Sequence, residues 1–322
     1  MSEIADDAAA PPRPQVYPVE GGPGYYQLGH TSVFAARADQ RIAWCAYVPS
    51  DYERSDRRYA LAVVVHGTER RAEGYRDRFA EFGERHGCIV LAPLFPAGIE
   101  EPGEVNNYKW LDYRGIRFDE LLLALVDEIA ALYRVDADRF LMHGFSGGGH
   151  FVHRFLYLHP ERLLGASIGA PGVVTLLDPE LDWWVGVRDV DAQFGKRVDL
   201  ARIREVPVQT VIGAEDTETW EITLRPGDGL WMPGSERAGR TRLDRIAALG
   251  ASLERHGVRV RRDVVPGVGH DGFAILDPVR RFFADVLAAR QRGVERRAPG
   301  RDDAVSRRRS APPARGGGRG RP

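Results

Sequence analysis

Apolar and polar positions form two kinds of segment that alternate along most of the chain. Continuous apolar runs such as Tyr59 to Val65 are typical of strands buried on both faces of a parallel sheet. Apolar residues spaced three and four apart, as in Phe118 to Tyr133, predict helices. The alternation predicts an α/β protein with a mostly parallel central sheet and helices on both faces.

The same pattern gives the bounds of the elements. A hairpin of Thr31 to Ala38 and Arg41 to Val48, with a turn at Asp39-Gln40, is predicted before the alternating part. Further strands are predicted at 59–65, 88–92, 140–143, 163–168, 206–212 and 258–265, and helices at 75–86, 118–133, 147–158, 240–256 and 273–289. A long loop after the strand at 88–92 contains Asn106, Asn107, Lys109 and Trp110.

Composition limits the folded part to the middle of the chain. With 322 residues, 43% of them hydrophobic, the chain can bury the core of one large domain or two small ones. Residues 1–24 are rich in Ala, Pro and acids, and residues 291–322 are rich in Arg, Pro and Gly, so we expect both to be disordered tails. The folded domain is expected to span residues 25–290, with a short cap near residues 170–205.

The near-neutral total charge hides a basic tail. Ten arginines and three acids after residue 290 give the tail +7, so the rest of the chain carries −8 against a total of −1. Such a tail could contact phosphates, but it lacks the aromatic residues that stack on bases. A solvated tail is the favoured interpretation, and nucleic acid is not an expected partner.

The sequence favours a cytoplasmic location. The chain opens with acids and alanines, without the charged and apolar segments of a secretory signal, and no apolar run is long enough to span a bilayer. Cys45 and Cys88 lie in apolar runs, which favours buried thiols in a reducing compartment. No Cys and His cluster has the spacing of a zinc site.

One segment indicates chemistry as well as structure. Residues 144–148, Gly-Phe-Ser-Gly-Gly, have the G-x-S-x-G pattern between a predicted strand and a predicted helix. The pattern also occurs by chance, but this context favours a sharp strand-to-helix turn in which glycines avoid a steric clash. Ser146 is therefore a candidate nucleophile. The Gly147 N–H, at the positive end of the helix, is a candidate donor to an oxyanion.

A serine nucleophile needs a base and an acid, which follow it along the chain in the order acid, then histidine. His270 is the candidate base because it lies in the glycine-rich loop before the last predicted helix. Glu215 and Asp216, just beyond the predicted strand at 206–212, are both candidate acids, although either could be an exposed loop residue. This chemistry requires no metal or organic cofactor.

Taken together, residues 31–289 resemble the α/β-hydrolase family. The resemblance rests on the His66-Gly67 turn, the elbow at Ser146 with its Gly-Phe-Ser-Gly-Gly-Gly sequence, a late acid and His270. Within the family the chain looks similar to compact serine esterases of the polyhydroxyalkanoate-depolymerase or feruloyl-esterase type. This implies a serine hydrolase that cleaves small carboxylic esters through an acyl-enzyme. A peptidase, an acyltransferase and a non-hydrolytic binding protein of the same fold are the alternatives.

The resemblance also implies two site residues. In the family the acid commonly lies three residues after the glycine that ends its strand, which favours Asp216 over Glu215. The second oxyanion donor follows a His-Gly pair, which gives Thr68, with His66 bracing the turn. The lipase-type His-Gly-Gly-Gly loop is absent, so bulky acyl groups and esters of tertiary alcohols are not expected as substrates.

Trp183 and Trp184, in the expected cap, are candidate substrate-binding residues. They could form one wall of an acyl pocket, or they could pack the cap onto the body of the domain. The sequence does not distinguish these alternatives, and it gives no indication of the oligomeric state.

Overall fold

The continuous apolar runs form the inner strands of one large sheet. The structure, a computed structural model, describes residues 22–297, with side chains to residue 292. The strands are β1 (Gly29–His30), β2 (Phe34–Ala35), β3 (Ala43–Val48), β4 (Tyr59–Val65), β5 (Cys88–Leu94), β6 (Asp112–Tyr113), β7 (Ile116–Arg117), β8 (Val135–Phe145), β9 (Leu163–Gly169), β10 (Val208–Gly213) and β11 (Val260–Val265). The helices are α1 (Ala72–His86), α2 (Phe118–Leu132), α3 (Gly147–Leu158), α4 (Val190–Phe194), α5 (Leu200–Glu205), α6 (Arg242–Arg255) and α7 (Leu276–Arg297).

Within the described residues the sheet has nine strands, and its centre is parallel. The strand order is β1-β3-β5-β4-β8-β9-β10-β11, with β2 also paired to β3. β3 is antiparallel to its neighbours β1, β2 and β5, whereas the pairs from β5 across to β11 are parallel. Parallel neighbours need crossover connections, and α1, α3 and α6 supply three of them. β6 and β7 form a separate hairpin.

Helices cover both faces of the sheet. Successive side chains of a strand point to opposite faces, and β8 shows where each face packs. Met142 belongs to the apolar cluster that contains Leu125 of α2 and Phe151 of α3. The ring of the next residue, His143, lies 6.2 Å from the ring of Phe79 in α1. Both faces of the inner strands are therefore shielded from water, as their continuous apolar sequence requires.

The register brings the carboxyl ends of the inner strands to one edge of the sheet. Val65 of β4 pairs with Gly144 of β8, and Gly213 of β10 pairs with Val265 of β11. Side chains in the loops that follow these strands can therefore meet at this edge, where ligands usually bind in parallel sheets.

The bounds of β4 and α3 are those predicted, but the first hairpin is shorter than predicted. Instead of one strand over residues 31–38, β1 and β2 pair with different parts of β3. Between them, the Thr31 hydroxyl accepts the Ala46 N–H at 2.8 Å, which interrupts the ladder. At the other end, α7 begins at Leu276 because the Asp271 carboxylate accepts the N–H groups of Phe273 and Ala274 and forms a turn first.

The contacts between Cα atoms divide the chain into two units. The first ends at Ala284 and contains the whole sheet; the described part of the second, from Asp285, is the remainder of α7. α7 continues to Arg297, past residue 291, where the tail was predicted to begin. The rest of the predicted tails, residues 1–21 and 298–322 with the arginine run at 307–309, lies outside the described residues. None of the described helices is long and apolar enough to span a bilayer.

Candidate active site

Ser146 occupies the sharp turn between β8 and α3. Its φ of 54° and ψ of −111° lie in a region that non-glycine residues seldom adopt. The Ser146 N–H donates to the Gly169 carbonyl of β9 at 2.8 Å, which holds the turn against the sheet. A Cβ atom on Gly144 would collide with the Gly148 backbone, so this position requires glycine. The turn places Ser146 at the N-terminus of α3.

His270 and Asp216 complete a chain of hydrogen bonds from Ser146. The Nε2 atom of His270 lies 3.0 Å from the Ser146 hydroxyl, and its Nδ1 lies 2.6 Å from a carboxylate oxygen of Asp216. Since a carboxylate can only accept, Nδ1 carries the proton and Nε2 is free to accept the serine proton. Of the two candidate acids, Asp216 is buried against His270, whereas Glu215 is exposed.

Arg242, which the sequence analysis did not single out, holds the second oxygen of Asp216. Its guanidinium lies 3.4 Å from that oxygen and 2.6 Å from the Glu221 carboxylate, and the side chain is only 3% exposed. Arg242 is the first residue of α6, where the helix dipole disfavours a cation. An arginine at the start of a predicted helix is therefore the sequence signal that could have indicated an acidic partner for Arg242.

The structure brings Thr68 next to Gly147. A Cβ atom built on Gly147 would lie 3.2 Å from the Thr68 backbone nitrogen, so the two backbones are in contact. Arg70 holds the loop that contains Thr68, because its guanidinium donates to the carbonyls of Thr68 at 2.6 Å and Phe95 at 3.2 Å. The Thr68 backbone therefore lies beside the first residue of α3, directly after Ser146.

His66 braces the same loop. Its Nε2 accepts the Phe95 N–H at 3.0 Å, and its Nδ1–H donates to the Gly67 carbonyl at 2.8 Å. Burial lowers the pKa of His66 to about 3, so the ring stays neutral. Both ring nitrogens are occupied by the backbone, which leaves none for proton transfer.

Ser146 and His270 open into a cleft of about 510 Å³. Its walls combine aromatic rings with charged side chains. The lining residues are Gly67, Thr68, Glu69, Arg71, Tyr75, Phe145, Ser146, Glu221, His270, Asp271, Gly272 and Phe273. The Phe145 ring lies 4.6 Å from the His270 ring and supports it from one side. The cleft is large enough for a small organic substrate and keeps a polar rim.

Trp183 and Trp184 do not line this cleft. The Trp184 indole N–H donates to the Leu230 carbonyl at 3.0 Å, and its ring lies 5.4 Å from the ring of Trp110. Trp183 packs edge-on against Phe194 of α4 at 4.8 Å. Of the two alternatives, the geometry favours packing of the cap, because the buried indole N–H of Trp184 is satisfied within the protein.

A second Asp–His pair lies buried away from the cleft. The His159 Nε2–H donates to the Asp119 carboxylate at 2.8 Å, and the His159 Nδ1 lies 2.9 Å from the Lys196 ammonium. Arg117 adds two hydrogen bonds to Asp119, at 2.8 and 2.6 Å. Burial would raise the pKa of Asp119, but the hydrogen bonds from His159 and Arg117 outweigh it and hold the pKa below its ordinary value.

Ligand atoms of Asp119, Glu120 and His159 lie within 4.8 Å of one another, a spacing that a metal ion could bridge. Arg117 and Lys196, however, already occupy the Asp119 carboxylate and the free nitrogen of His159. Two cations take the place of a metal, so the group is a structural network that joins α2, α3 and the segment after α4.

The strand order, the elbow at Ser146 and the helices on both faces define the α/β-hydrolase fold. No protein-family model and no curated protein sequence matches the chain. Among solved structures, a poly(3-hydroxybutyrate) depolymerase from Bordetella parapertussis is similar over 82% of this chain and 87% of its own, with 22% identity and a TM-score of 0.61.

Two further neighbours have the same fold. Poly(aspartic acid) hydrolase-1 from Sphingomonas sp. KT-1 matches 74% of this chain and 92% of its own, with 20% identity and a TM-score of 0.59. A ferulic acid esterase matches 79% of this chain and 96% of its own, with 15% identity and a TM-score of 0.54. At these identities the likeness is one of fold, and activity must be argued from the site.

Proposed function

We propose that the protein is a serine hydrolase that cleaves small carboxylic esters through an acyl-enzyme. The observation that carries the proposal is the chain of hydrogen bonds from Ser146 through His270 to Asp216, at 3.0 and 2.6 Å, at the wall of an open cleft. Nucleophile, base and orienting acid are then in the geometry that acyl transfer needs before substrate arrives.

In the first half of the reaction, the Ser146 oxygen attacks the ester carbonyl carbon and its proton passes to His270 Nε2. Asp216 accepts from Nδ1 and stabilises the imidazolium that forms. The tetrahedral oxyanion is placed to accept from the N–H groups of Thr68 and Gly147. Collapse of this intermediate breaks the C–O bond, and His270 returns the proton to the departing alcohol.

In the second half, a water molecule attacks the acyl-enzyme with His270 as base. The carboxylic acid leaves and Ser146 regains its proton. Arg242 contributes at both stages because it holds the Asp216 oxygen that does not face His270. Every proton transfer runs through one imidazole, and no metal or cofactor is needed.

The volume and the lining residues of the cleft support a small or medium-sized ester as substrate. The cleft of about 510 Å³ has aromatic walls at Tyr75, Phe145 and Phe273, which suit an apolar acyl or aryl group. Thr68 carries a side chain where lipases keep open space, which disfavours bulky acyl groups and tertiary alcohols. Two neighbours are named for esters, a depolymerase of a polyester and a ferulic acid esterase, and a third, poly(aspartic acid) hydrolase-1, is named for a polymer linked by amide bonds. The names support hydrolysis of an acyl compound, and the choice of an ester rests on the cleft and on the kinetic test below.

We also propose a cytoplasmic location and a folded domain that begins near residue 25 and includes the cap near residues 170–205. Cys45 and Cys88 are both buried and free, which supports a reducing compartment.

The test is hydrolysis of p-nitrophenyl esters from acetate to decanoate by the wild type and Ser146→Ala. We expect the activity of Ser146→Ala to fall by roughly 10⁴-fold or more, because the nucleophile is lost. Ser32→Ala is the matched control, since Ser32 is exposed and does not line the cleft. A fluorophosphonate probe should label the wild type and Ser32→Ala, but not Ser146→Ala.

Activity that survives in Ser146→Ala would exclude Ser146 as the nucleophile. A wild type that neither hydrolyses any ester of the series nor reacts with the probe would favour the non-hydrolytic alternative. Labelling without ester hydrolysis would point to an amide substrate or another acyl acceptor.

A further inference from the structure

A lysine side chain lies directly beside the two backbone donors. A Cβ atom built on Gly147 would lie 2.9 Å from Cε of Lys109, and the same point is 3.2 Å from the Thr68 nitrogen. The Tyr108 hydroxyl and Cε of Lys109 together occupy the space that a side chain at position 147 would fill. The end of the Lys109 carbon chain therefore lies close to Gly147 and to the Thr68 nitrogen.

The ammonium of Lys109 is buried without a charged partner of its own. Lys109 is only 6% exposed, and its Nζ donates to the side-chain oxygen of Asn106 at 2.8 Å. Among the described side chains, no carboxylate forms an ion pair with it. A neutral amide only partly offsets the loss of hydration of an ammonium with three donors. A cation kept here at such a cost is well placed to meet a negative charge that appears during the reaction.

Several contacts hold Lys109 rigidly in this place. Its backbone N–H donates to the Asn106 carbonyl at 3.0 Å, and its own carbonyl accepts from Arg154, a fully buried arginine. The neighbouring Tyr108 hydroxyl also lies beside Gly147, but it donates its proton to the His66 carbonyl at 2.9 Å. The Tyr108 hydroxyl thus holds the His66-Gly67 turn and has no proton left to donate to an oxyanion. Of the two side chains beside Gly147, only Lys109 carries a positive charge.

We propose that the Lys109 ammonium is a third source of positive potential for the oxyanion, in addition to the N–H groups of Thr68 and Gly147. The inference rests on the proposed function and deepens it. A charge fixed in a partly desolvated site acts over several ångströms without touching the reacting atoms. Because the oxyanion exists only in the transition state and tetrahedral intermediate, the effect falls on kcat and not on KM.

The charge of Lys109 depends on pH in an accessible range. Burial lowers the pKa of Lys109 to about 8. The carboxylates of Glu221 and Glu104 raise this pKa, and the guanidinium groups of Arg70 and Arg154 lower it further. The imidazoles that also face Lys109 are those of His66 and His150, and burial lowers the pKa of both far enough to keep them neutral. The ammonium is therefore charged below about pH 8 and neutral above it, so kcat should fall across this range.

The test compares kcat from pH 6 to 10 in the wild type, Lys109→Met and Lys196→Met, with the p-nitrophenyl ester that the wild type hydrolyses fastest. Lys196, the only other lysine of the chain, is the matched control, because its ammonium contacts His159 in the buried network around Asp119 and not the turn at Ser146. For Lys109→Met we expect kcat at pH 7 to fall about tenfold, less than the roughly 100- to 1000-fold loss that follows removal of a direct donor. Its KM should stay unchanged, and the fall near pH 8 should disappear.

Lys109→Arg keeps the charge and serves if the methionine variant does not fold. We expect it to remain active at pH 7 and to shift the alkaline fall in kcat above pH 10, because arginine does not titrate there. Unchanged kcat and an unchanged alkaline fall in Lys109→Met, or a fall that stays near pH 8 in Lys109→Arg, would overturn the inference. A rise in KM with unchanged kcat would also overturn it and assign Lys109 to binding of the substrate.

The failure of the proposed function would look different. A wild type that is inactive on esters and not labelled at Ser146 by the fluorophosphonate overturns both proposals. If the wild type is active and labelled but Lys109→Met has the same kcat and the same pH dependence, only the proposed role of Lys109 is overturned.

Discussion

Two of the Asp–His pairs among the described residues have a buried carboxylate and nearly equal geometry, but opposite surroundings. Asp216 and His270 are 2.6 Å apart, and Asp119 and His159 are 2.8 Å apart. In both pairs the carboxylate is buried and also binds an arginine. The distance between acid and imidazole therefore does not distinguish a reactive pair from a structural one.

What differs is the partner of the second ring nitrogen. His270 turns Nε2 to the Ser146 hydroxyl, which can give up a proton, and the His270 side chain is 26% exposed at the cleft. His159 turns Nδ1 to the Lys196 ammonium and is fully buried. The imidazole of His270 is the proposed base and that of His159 a brace, because only His270 faces a hydroxyl nucleophile and is open to substrate.

Replacing His270 gives the largest expected effect. In His270→Gln we expect kcat/KM for the ester to fall by roughly 10⁴-fold or more, since the base is lost. The free energy of unfolding should change by less than about 1 kcal/mol, because the His270 side chain is 26% exposed at the cleft and water can replace it as a donor to Asp216. Ester kinetics together with urea unfolding check both parts. A variant within tenfold of wild-type activity would contradict the role of His270.

The corresponding change in the structural pair should reverse this result. His159→Gln is expected to lower the free energy of unfolding by about 1–3 kcal/mol, because buried Asp119 loses a hydrogen-bond donor. Its kcat/KM should match that of the wild type once the fraction of folded protein is taken into account. His30→Gln is the control, since His30 pairs with Asp77 at the surface and should contribute little. A large loss of activity in His159→Gln would mean that the two pairs are coupled.

The smallest effect is the pH dependence of the structural pair. The pKa of Asp119 is lower in the folded chain than in the unfolded one, so the folded chain binds fewer protons and its stability rises with pH in this range. The stability that Asp119 contributes should be complete above about pH 5 and be lost as the pH falls below about 4. Urea unfolding of the wild type and Asp119→Asn from pH 3 to 6 measures it. A difference between the two proteins that widens as the pH falls would contradict the assignment.

Much of the fold could be predicted because its signals are local. β4 and α3 have the predicted bounds, since burial on both faces and helical spacing are properties of a single segment. The first hairpin was predicted too long because a hydrogen bond from the Ala46 N–H to the Thr31 hydroxyl interrupts it. The pattern of apolar and polar residues gives no indication of such a bond. The end of α7 was missed because the pattern of polar residues suggested a tail where a helix continues.

The candidate site divides in the same way. Motif and chain order predicted Ser146 and His270, resemblance to a family favoured Asp216 over Glu215, and the fold brings these three side chains together. The sequence did not single out Arg242 and Lys109, because the contact of Arg242 with Asp216 and that of Lys109 with Gly147 join residues far apart in the sequence. The sequence also left Trp183 and Trp184 undecided, since the acceptor that fixes Trp184, the Leu230 carbonyl, belongs to a distant loop.

The position of His270 after β11 also orders events during synthesis. A ribosome completes the Ser146 turn and the backbone donors of Thr68 and Gly147 well before it makes Asp216, and His270 comes 124 residues after the serine. In the proposed mechanism, the Ser146 hydroxyl gains its base only after β11 has been added beside β10, so the Ser146 turn of the nascent polypeptide is complete before it can react.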